Sequence, residues 1–500
     1  MGGAYKSQSF SADAQICLNM MVEKDESGAG KNDLVLVNTP GLSVFCQLPD
    51  SPLRGEWVLS TPAGTRAFAI SGSTLFEISS AGAITNRGAV ANDGKPVSFA
   101  SSNVQLMIAS GGQGYCLTLA TNALTAAIAT IAGVVKVAFC DGFFAALIGN
   151  SAQWFVSNLL DGTTWNPGQT SIISVFGDNA VDMGVTQRTL CFFGYRQSVC
   201  YYDSGNVFPF DVVPGGFSEQ GSIAPFGQVN SDNAMFGIWS DQRGGIIAFR
   251  SQGYTLQRIS THAIELEWSS YSTVSDAIAY SYQDRGHTVV VWSFPTADKT
   301  WAFDVATGLW HQKSFFQNGV DHAHLGQFHM YAFGKHLVGG LQSGMIYQMN
   351  IPTPDGLGGW NFVTDAGNPI NRMRRSPYIG AAGIWNQITS LEVMADTGLG
   401  PNIPLNDGSG NSRGPQLMVR FSDDNGNTWS NQRTLDMGQI GQFGLRLRLF
   451  RLGAFWGSVG RIFEFSFTDP APLRIVDADL TGTPDLIPQK RLAARLREQA

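Results

Sequence analysis

The feature that most constrains this 500-residue chain is a plan repeated from about Trp57 to Met349: an alternating apolar run, a turn with Gly or Asn, then another run and another turn. Alternation places one face of a strand in a core, and the turn reverses the chain, so each unit reads as a β-hairpin. Ala67-Phe68-Ala69-Ile70, Ser71-Gly72-Ser73 and Thr74-Leu75-Phe76-Glu77-Ile78 make one instance. Val137 to Cys140, Asp141-Gly142 and Phe143 to Ile148 make another, and further units begin near Val97, Ala180, Ile223, Ala277 and His322. Their spacing falls around the ~40–50 residues of a four-stranded propeller blade, and about seven such units fit the stretch. A polar turn followed by a large aromatic closes several of them, at Asp161 to Trp165 and Asp304 to Trp310, which suits a blade edge packed on its neighbour. A pair of irregular β-sandwiches is the competing architecture, but it leaves strand edges open where a closed ring does not.

The two ends depart from this plan. Residues 1–55 hold a strand, Leu34 to Val37, a turn, Asn38-Thr39-Pro40-Gly41, and a second strand, Leu42 to Phe45. A Pro/Gly-rich linker, Pro352 to Gly359, precedes new strands such as Leu417 to Ser422 and Gly444 to Arg451. Terminal segments that cannot fold alone pair with each other when a closed domain is inserted between them. The expectation is therefore an all-β protein: a roughly seven-bladed β-propeller over 56–350, inserted into a β-rich platform or hub domain made of 1–55 and 351–484. Residues 485–500, with Lys490, Arg491, Arg495 and Arg497, read as a basic tail.

Composition narrows the function. A hydrophobic share of 43% excludes a disordered chain, and charged residues make up 14% where about 25% is usual. So little charge suits a surface largely covered by copies or partners, and 58 glycines suit many tight turns. The net charge of −7 is the wrong sign for gripping nucleic acid through its phosphates. The cysteines, Cys17, Cys46, Cys116, Cys140, Cys191 and Cys200, include no C-x-x-C pair and read as reduced core residues. The N-terminus lacks an apolar signal core, and the longest apolar stretch, Ala123 to Val135, falls short of the ~20 residues a membrane span requires.

Ser422-Asp423-Asp424-Asn425-Gly426-Asn427-Thr428-Trp429 matches the S-x-D-x-G-x-T-W Asp-box of sialidase-type propellers. Its chemistry is that of a turn: Asp424 binds backbone amides with Ser422 and Thr428 beside it, Gly426 takes positive φ, and Trp429 packs beneath the hairpin. A glycosidase needs two carboxylates facing across a site, and neither Glu265/Glu267 nor Asp423/Asp424 is marked out as such a pair. His322, His324, His329 and His336 cluster, but apart from Asp321 no carboxylate or thiolate has ligand spacing to them, so no metal and no cofactor is expected. Arg446, Arg448 and Arg451, and likewise Arg372, Arg374 and Arg375, read as salt-bridging groups at a subunit interface rather than phosphate ligands. The candidate interface residues are Arg446, Arg448, Arg451, Lys490, Arg491 and Arg495.

Longer segments carry a family resemblance. They are Phe208-Pro209-Phe210, Pro214 to Phe217, Glu219-Gln220-Gly221, Arg243 to Ile246, Gln252 to Glu265, Ser275 to Tyr280, Phe294 to Trp301 and Asp304 to His311. At the ends, Cys17 to Glu23 with Thr39-Pro40-Gly41, and Phe421 to Ser430, belong to the same set. Together they resemble the packaged-DNA stabilisation proteins of short-tailed bacteriophages; Gln197 to Tyr202 departs from the pattern, where an acidic residue is expected before the aromatic pair. The resemblance implies a non-enzymatic virion protein of the tail, assembled in the host cytoplasm and without a membrane anchor. It implies a homo-hexameric hub or nozzle below the portal and adaptor rings that meets the tail needle or distal tail proteins. Such a hub retains packaged DNA and conducts it at ejection without sequence-specific binding. The alternatives are a glycan-binding or glycan-degrading tail propeller, which needs several Asp-boxes, and a cellular propeller scaffold, which lacks the phage-type termini.

Overall fold

The structure, a computed structural model, describes residues 2–7, 13–25, 32–61, 64–174, 177–241, 244–401 and 405–482. Four consecutive antiparallel sheets are each built from four neighbouring strands. The first comprises Leu53–Thr61, Gly64–Ser71, Thr74–Ile78 and Ile84–Ala89; the others start at Ser98–Ser101, Val134–Cys140 and Ala180–Thr186. The alternation of each run sends its apolar residues into the spaces between sheets, and paired positive-φ residues reverse the chain. Asp141 (φ 47°) and Gly142 (φ 92°) do so between Val134–Cys140 and Phe143–Ile148, the geometry that matches strand twist in a two-residue hairpin. A fifth sheet centres on Ala234–Asp241, and a sixth runs Ile278–Asp284, His287–Phe294, Lys299–Asp304 and Leu309–Lys313. The last holds Phe328–Ala332, Lys335–Gly339 and Met345–Asn350.

Residues from the inner strands of all these sheets, Glu56, Ser98, Val137, Met183, Val229, Ile278 and Phe328 among them, border one axial cavity of about 500 Å³. The sheets therefore surround a common axis, the arrangement of a β-propeller. Trp165 is buried among Ala100, Met107 and Phe144, wedged between the second and third sheets, as the polar-turn-plus-aromatic pattern predicts. Trp310 instead stacks on Trp292 of its own sheet, at 5.5 Å, and meets Trp268 edge-on at 5.6 Å.

The N-terminal strands part company. Leu34–Asn38 pairs with Met20–Lys24 and, through Leu36, with Ile475. Gly41–Gln47 instead pairs along Met345–Asn350 and completes the last propeller sheet. At Gly41 only glycine fits, because a Cβ would lie 2.4 Å from the Phe362 carbonyl oxygen.

The remaining strands form a sandwich of two sheets. One continues outward from Leu309–Lys313 through Ala14–Leu18, Arg372–Arg375, Ile462–Phe467, Gln416–Ser422 and Arg433–Asp436. The other runs Met20–Lys24, Leu34–Asn38, Ile475–Gly482, Trp385–Ala395 and Leu447–Trp456. Leu391, Val419, Leu449, Phe463 and Ile475 fill the space between them, and the same core reaches Trp268, Trp292 and Trp310 of the propeller. The helix His262–Ser269, capped by Thr261, contributes Ile264 and Trp268 to it.

One cysteine expectation fails. Cys191 and Cys200 stand directly opposite each other on adjacent antiparallel strands and are joined as a disulfide; a spacing of nine residues around a hairpin brings two side chains to one face, which a motif search for C-x-x-C does not detect. Cys17, Cys46, Cys116 and Cys140 are free and buried.

Candidate functional site

The Asp-box turn links the strand Gln416–Ser422 to the strand Arg433–Asp436. Asp424 accepts the Thr428 amide at 2.8 Å, the Thr428 hydroxyl at 2.6 Å and the Ser422 hydroxyl at 2.7 Å, while Ser422 Oγ accepts the Gly426 amide at 2.9 Å. These donors, led by the Thr428 hydroxyl, hold the Asp424 carboxyl down at about 2, and Gly426 takes φ 85°. Trp429 departs from expectation. It is half-buried rather than enclosed, because its ring is covered by the guanidinium groups of Arg375 and Arg420, at 4.8 and 4.6 Å. Both arginines are fixed by the buried carboxylate of Glu464.

Neither carboxylate pair considered from the sequence faces an open site. Asp423 binds Arg461 through both oxygens, at 2.6 and 2.7 Å, and Arg461 is buried between the Phe421 and Phe455 rings. Glu265 is held by Arg258 and the Ser260 hydroxyl, and Glu267 accepts the Tyr271 hydroxyl at 3.4 Å. The histidines are dispersed among different partners: His322 on Asp298 at 2.7 Å, and His329 Nε2 against His336 Nδ1 at 3.0 Å. His324 accepts the Gly326 amide at 3.1 Å. Among the described residues no group of three or more His, Cys, Asp or Glu side chains is placed to hold a metal ion.

Arg446 and Arg448 meet on one acid, Glu392 of the neighbouring strand of the same chain, and their hydrogen bonds hold its carboxyl down at about 2. Arg451 is exposed, in a left-handed conformation at φ 58°. Lys490, Arg491 and Arg495 lie outside the described residues. Arg372 and Arg374 are buried and donate to backbone carbonyls, those of Val363 and Gly3 among them. Together with Arg375 on Glu464 they tie strands together.

The Arg446–Glu392–Arg448 group lies on the outer face of a sandwich sheet whose other end is aromatic. Trp385 and Trp456 are register partners with rings 5.7 Å apart, and both remain exposed, 66% and 41%, as does Phe450 at 58%. These three side chains leave an apolar face open to solvent. In the sequence Trp385 stands at the start of one strand and Trp456 at the end of another, and their pairing is visible only in the fold. The axial cavity is lined in part by Lys136, which binds Asp182 at 3.1 Å and lies 4.0 Å over the Phe226 ring. Burial raises the Asp182 carboxyl to about 6, against the opposing pull of Lys136. Alternating strands give no sequence cue to that pair.

A propeller whose core runs into a β-sandwich, with its Asp-box and the Arg446–Glu392–Arg448 group engaged in internal bonds and an aromatic face left open, defines a structural β-propeller protein. The chain belongs to the family described as Bacteriophage P22 Gp10: its beta-propeller model matches residues 1–353 and its beta-sandwich model residues 371–482. It is thus a phage structural protein of the kind that stabilises packaged DNA. No curated protein sequence matches it. Among solved structures it is similar to BamB from Moraxella catarrhalis, with 13% identity over 68% of this chain and 96% of that one, at a TM-score of 0.37. The extracellular domain of the putative one component system BT4673 from B. thetaiotaomicron is 10% identical over 80% of this chain and 48% of that one, at 0.41. Exo-beta-1,3-galactanase from Phanerochaete chrysosporium is 10% identical over 81% and 98%, at 0.28. None of the three reaches a TM-score of 0.5. Among the described residues no helix is long and apolar enough to cross a membrane.

Proposed function

We propose that this protein is a non-enzymatic hub or nozzle of a short phage tail, a homo-hexamer assembled in the host cytoplasm that retains the packaged genome and conducts it at ejection. On this reading a ring of about seven blades is inserted between the two parts of a sandwich platform, and the platform docks on the portal and adaptor rings. The tail needle or distal tail proteins engage its far side.

The observation that carries this reading is the size of the axial cavity. At about 500 Å³ it has no room for even one duplex turn, ~34 Å long, and the Lys136–Asp182 pair stands inside it. On this reading the passage for duplex DNA lies between copies rather than along the propeller axis. The excess of acidic over basic residues suits a wall along which DNA slides without being held.

Native mass spectrometry of the purified protein, alone and with the portal–adaptor assembly, tests the proposal. A hexamer on the assembly is the expected result; a single bound copy overturns it.

A further inference from the structure

Where the sixth propeller sheet meets the last one, the packing encloses a polar cluster. Tyr280, Tyr282 and Ala302 of the sixth sheet lie there against Leu42, Val338 and Met349. His311 is the register partner of Ala302 and faces the same way, as does Lys313 two residues on. Lys313 is 1% exposed, yet among the described residues no carboxylate forms an ion pair with it; its ammonium meets the Met349 sulfur at 3.7 Å and lies 5.3 Å over the Tyr282 ring. Thr300, the register partner of Lys313, accepts the His324 amide at 3.1 Å, which brings His324 alongside. Met349 pairs with Leu42 and Leu42 with Asp365, which brings in the one carboxylate of the cluster.

Buried polar groups are almost always paired. Here Nε2 of His311, Nε2 of His324, the hydroxyls of Tyr280 and Tyr282, Nε of Arg372 and Oδ1 of Asp365 are buried without a partner. The set is lopsided. His324 accepts the Gly326 amide at Nδ1, so its Nε2 carries the proton and donates, and Lys313 and Arg372 can only donate. Against them stands one free carboxylate oxygen. The charge is lopsided too: burial and Lys313 keep His311 and His324 neutral, and burial lifts the Asp365 carboxyl to about 7, so the two cations outweigh it. A water molecule donates as often as it accepts and would leave this excess in place, whereas an anion accepts from every side. We propose that the cluster is a binding site for a small monovalent anion of the chloride class, held between the Lys313 ammonium and the Nε2–H of His324. So placed, the ion offsets the buried ammonium and ties the sixth sheet to the segment that leads into the last one.

Crystals of the full chain, purified and grown in sodium bromide in place of chloride, test this with data collected at the bromine absorption edge. An anomalous peak within hydrogen-bonding reach of Lys313 Nζ and His324 Nε2 is expected. Density there without anomalous signal is water and overturns the proposal, as does the lack of any density. In solution, the melting temperature of the unaltered chain should shift upward when chloride replaces gluconate at constant ionic strength. Lys313→Met, of similar length but without the charge, should lose that shift; if it does not fold, His324→Phe takes its place. No shift in the unaltered chain, or an equal shift in chain and variant, also overturns the proposal.

Discussion

The side chain of Asn19 grips Ser314, 295 positions further along the chain, at both of its ends: its amide nitrogen donates to the Ser314 hydroxyl and its oxygen accepts the Ser314 amide, each at 2.8 Å. The same nitrogen donates to the Asn371 carbonyl at 2.8 Å. Asn19 thereby joins the turn between the two sandwich sheets, the end of the sixth propeller sheet and the strand that opens the C-terminal part. Its own backbone is left-handed, φ 50°, a conformation Asn tolerates. Asn19→Ala leaves buried groups unpaired and strains the turn, so it should destabilise the protein by about 2–4 kcal/mol, measured by chemical denaturation. A loss below about 0.5 kcal/mol would show that the junction is held elsewhere.

Trp429 is half-covered by two guanidinium groups rather than enclosed in a core, so Trp429→Ala should cost about 1–2 kcal/mol in a thermal melt. Full enclosure under the hairpin would instead give about 3–5 kcal/mol.

Asp423→Ala separates a structural from a catalytic role for the Asp-box. It strands the buried Arg461 guanidinium and should destabilise the sandwich by about 2–4 kcal/mol. A variant of unchanged stability that lost glycan turnover would favour the enzyme reading instead.

Glu56 is buried with neither carboxylate oxygen hydrogen-bonded, and burial raises its carboxyl to about 8. The folded protein thus holds a proton that the unfolded chain releases near pH 4.3. Stability tied to this group is greatest below that pH and falls as pH rises toward about 8. Glu56→Gln should therefore stabilise the protein at pH 8, with an advantage that shrinks toward pH 4; denaturation curves at several pH values will show a pH-independent difference if the carboxylate has found a partner. His311 and His329, pushed down to about 3 chiefly by burial, act in the opposite sense. Their contribution is complete above the unfolded value of about 6.5 and declines as pH falls toward 3, in wild type and variant alike.

The exposed face predicts a separation of assembly from folding. Trp385→Ala with Trp456→Ala should leave the melting temperature nearly unchanged but weaken assembly by about 2 kcal/mol or more, read as loss of the oligomer by native mass. Arg446→Ala removes a surface pair worth about 0–1 kcal/mol to folding. Filled particles formed at normal yield with all three substitutions would remove this face from the interface.

How far the sequence disclosed this depended on whether a feature was local. Hairpins were legible because alternation and turn residues are neighbours in the chain, and the Asp-box bonds could be assigned from an eight-residue motif. Gly41–Gln47 reads as a strand, yet nothing in its residues says that it joins Met345–Asn350 rather than the sandwich. Cys191 with Cys200, and Lys136 with Asp182, depend on register and on which sheets adjoin. For Trp429 the motif set the direction of the ring but not its cover, since Arg375 approaches from a distant strand.

The pairing of Gly41–Gln47 with Met345–Asn350 also sets a timetable. The ring's last strand is made among the first and must wait for about 300 further residues before its partner exists. Until then the growing chain carries two unsatisfied sheet edges, the state most prone to wrong partners. Leu34–Asn38, which precedes that strand, needs Ile475, so the sandwich cannot be completed before nearly the whole chain has been synthesised. A truncated product would therefore lack not one domain but a finished form of both.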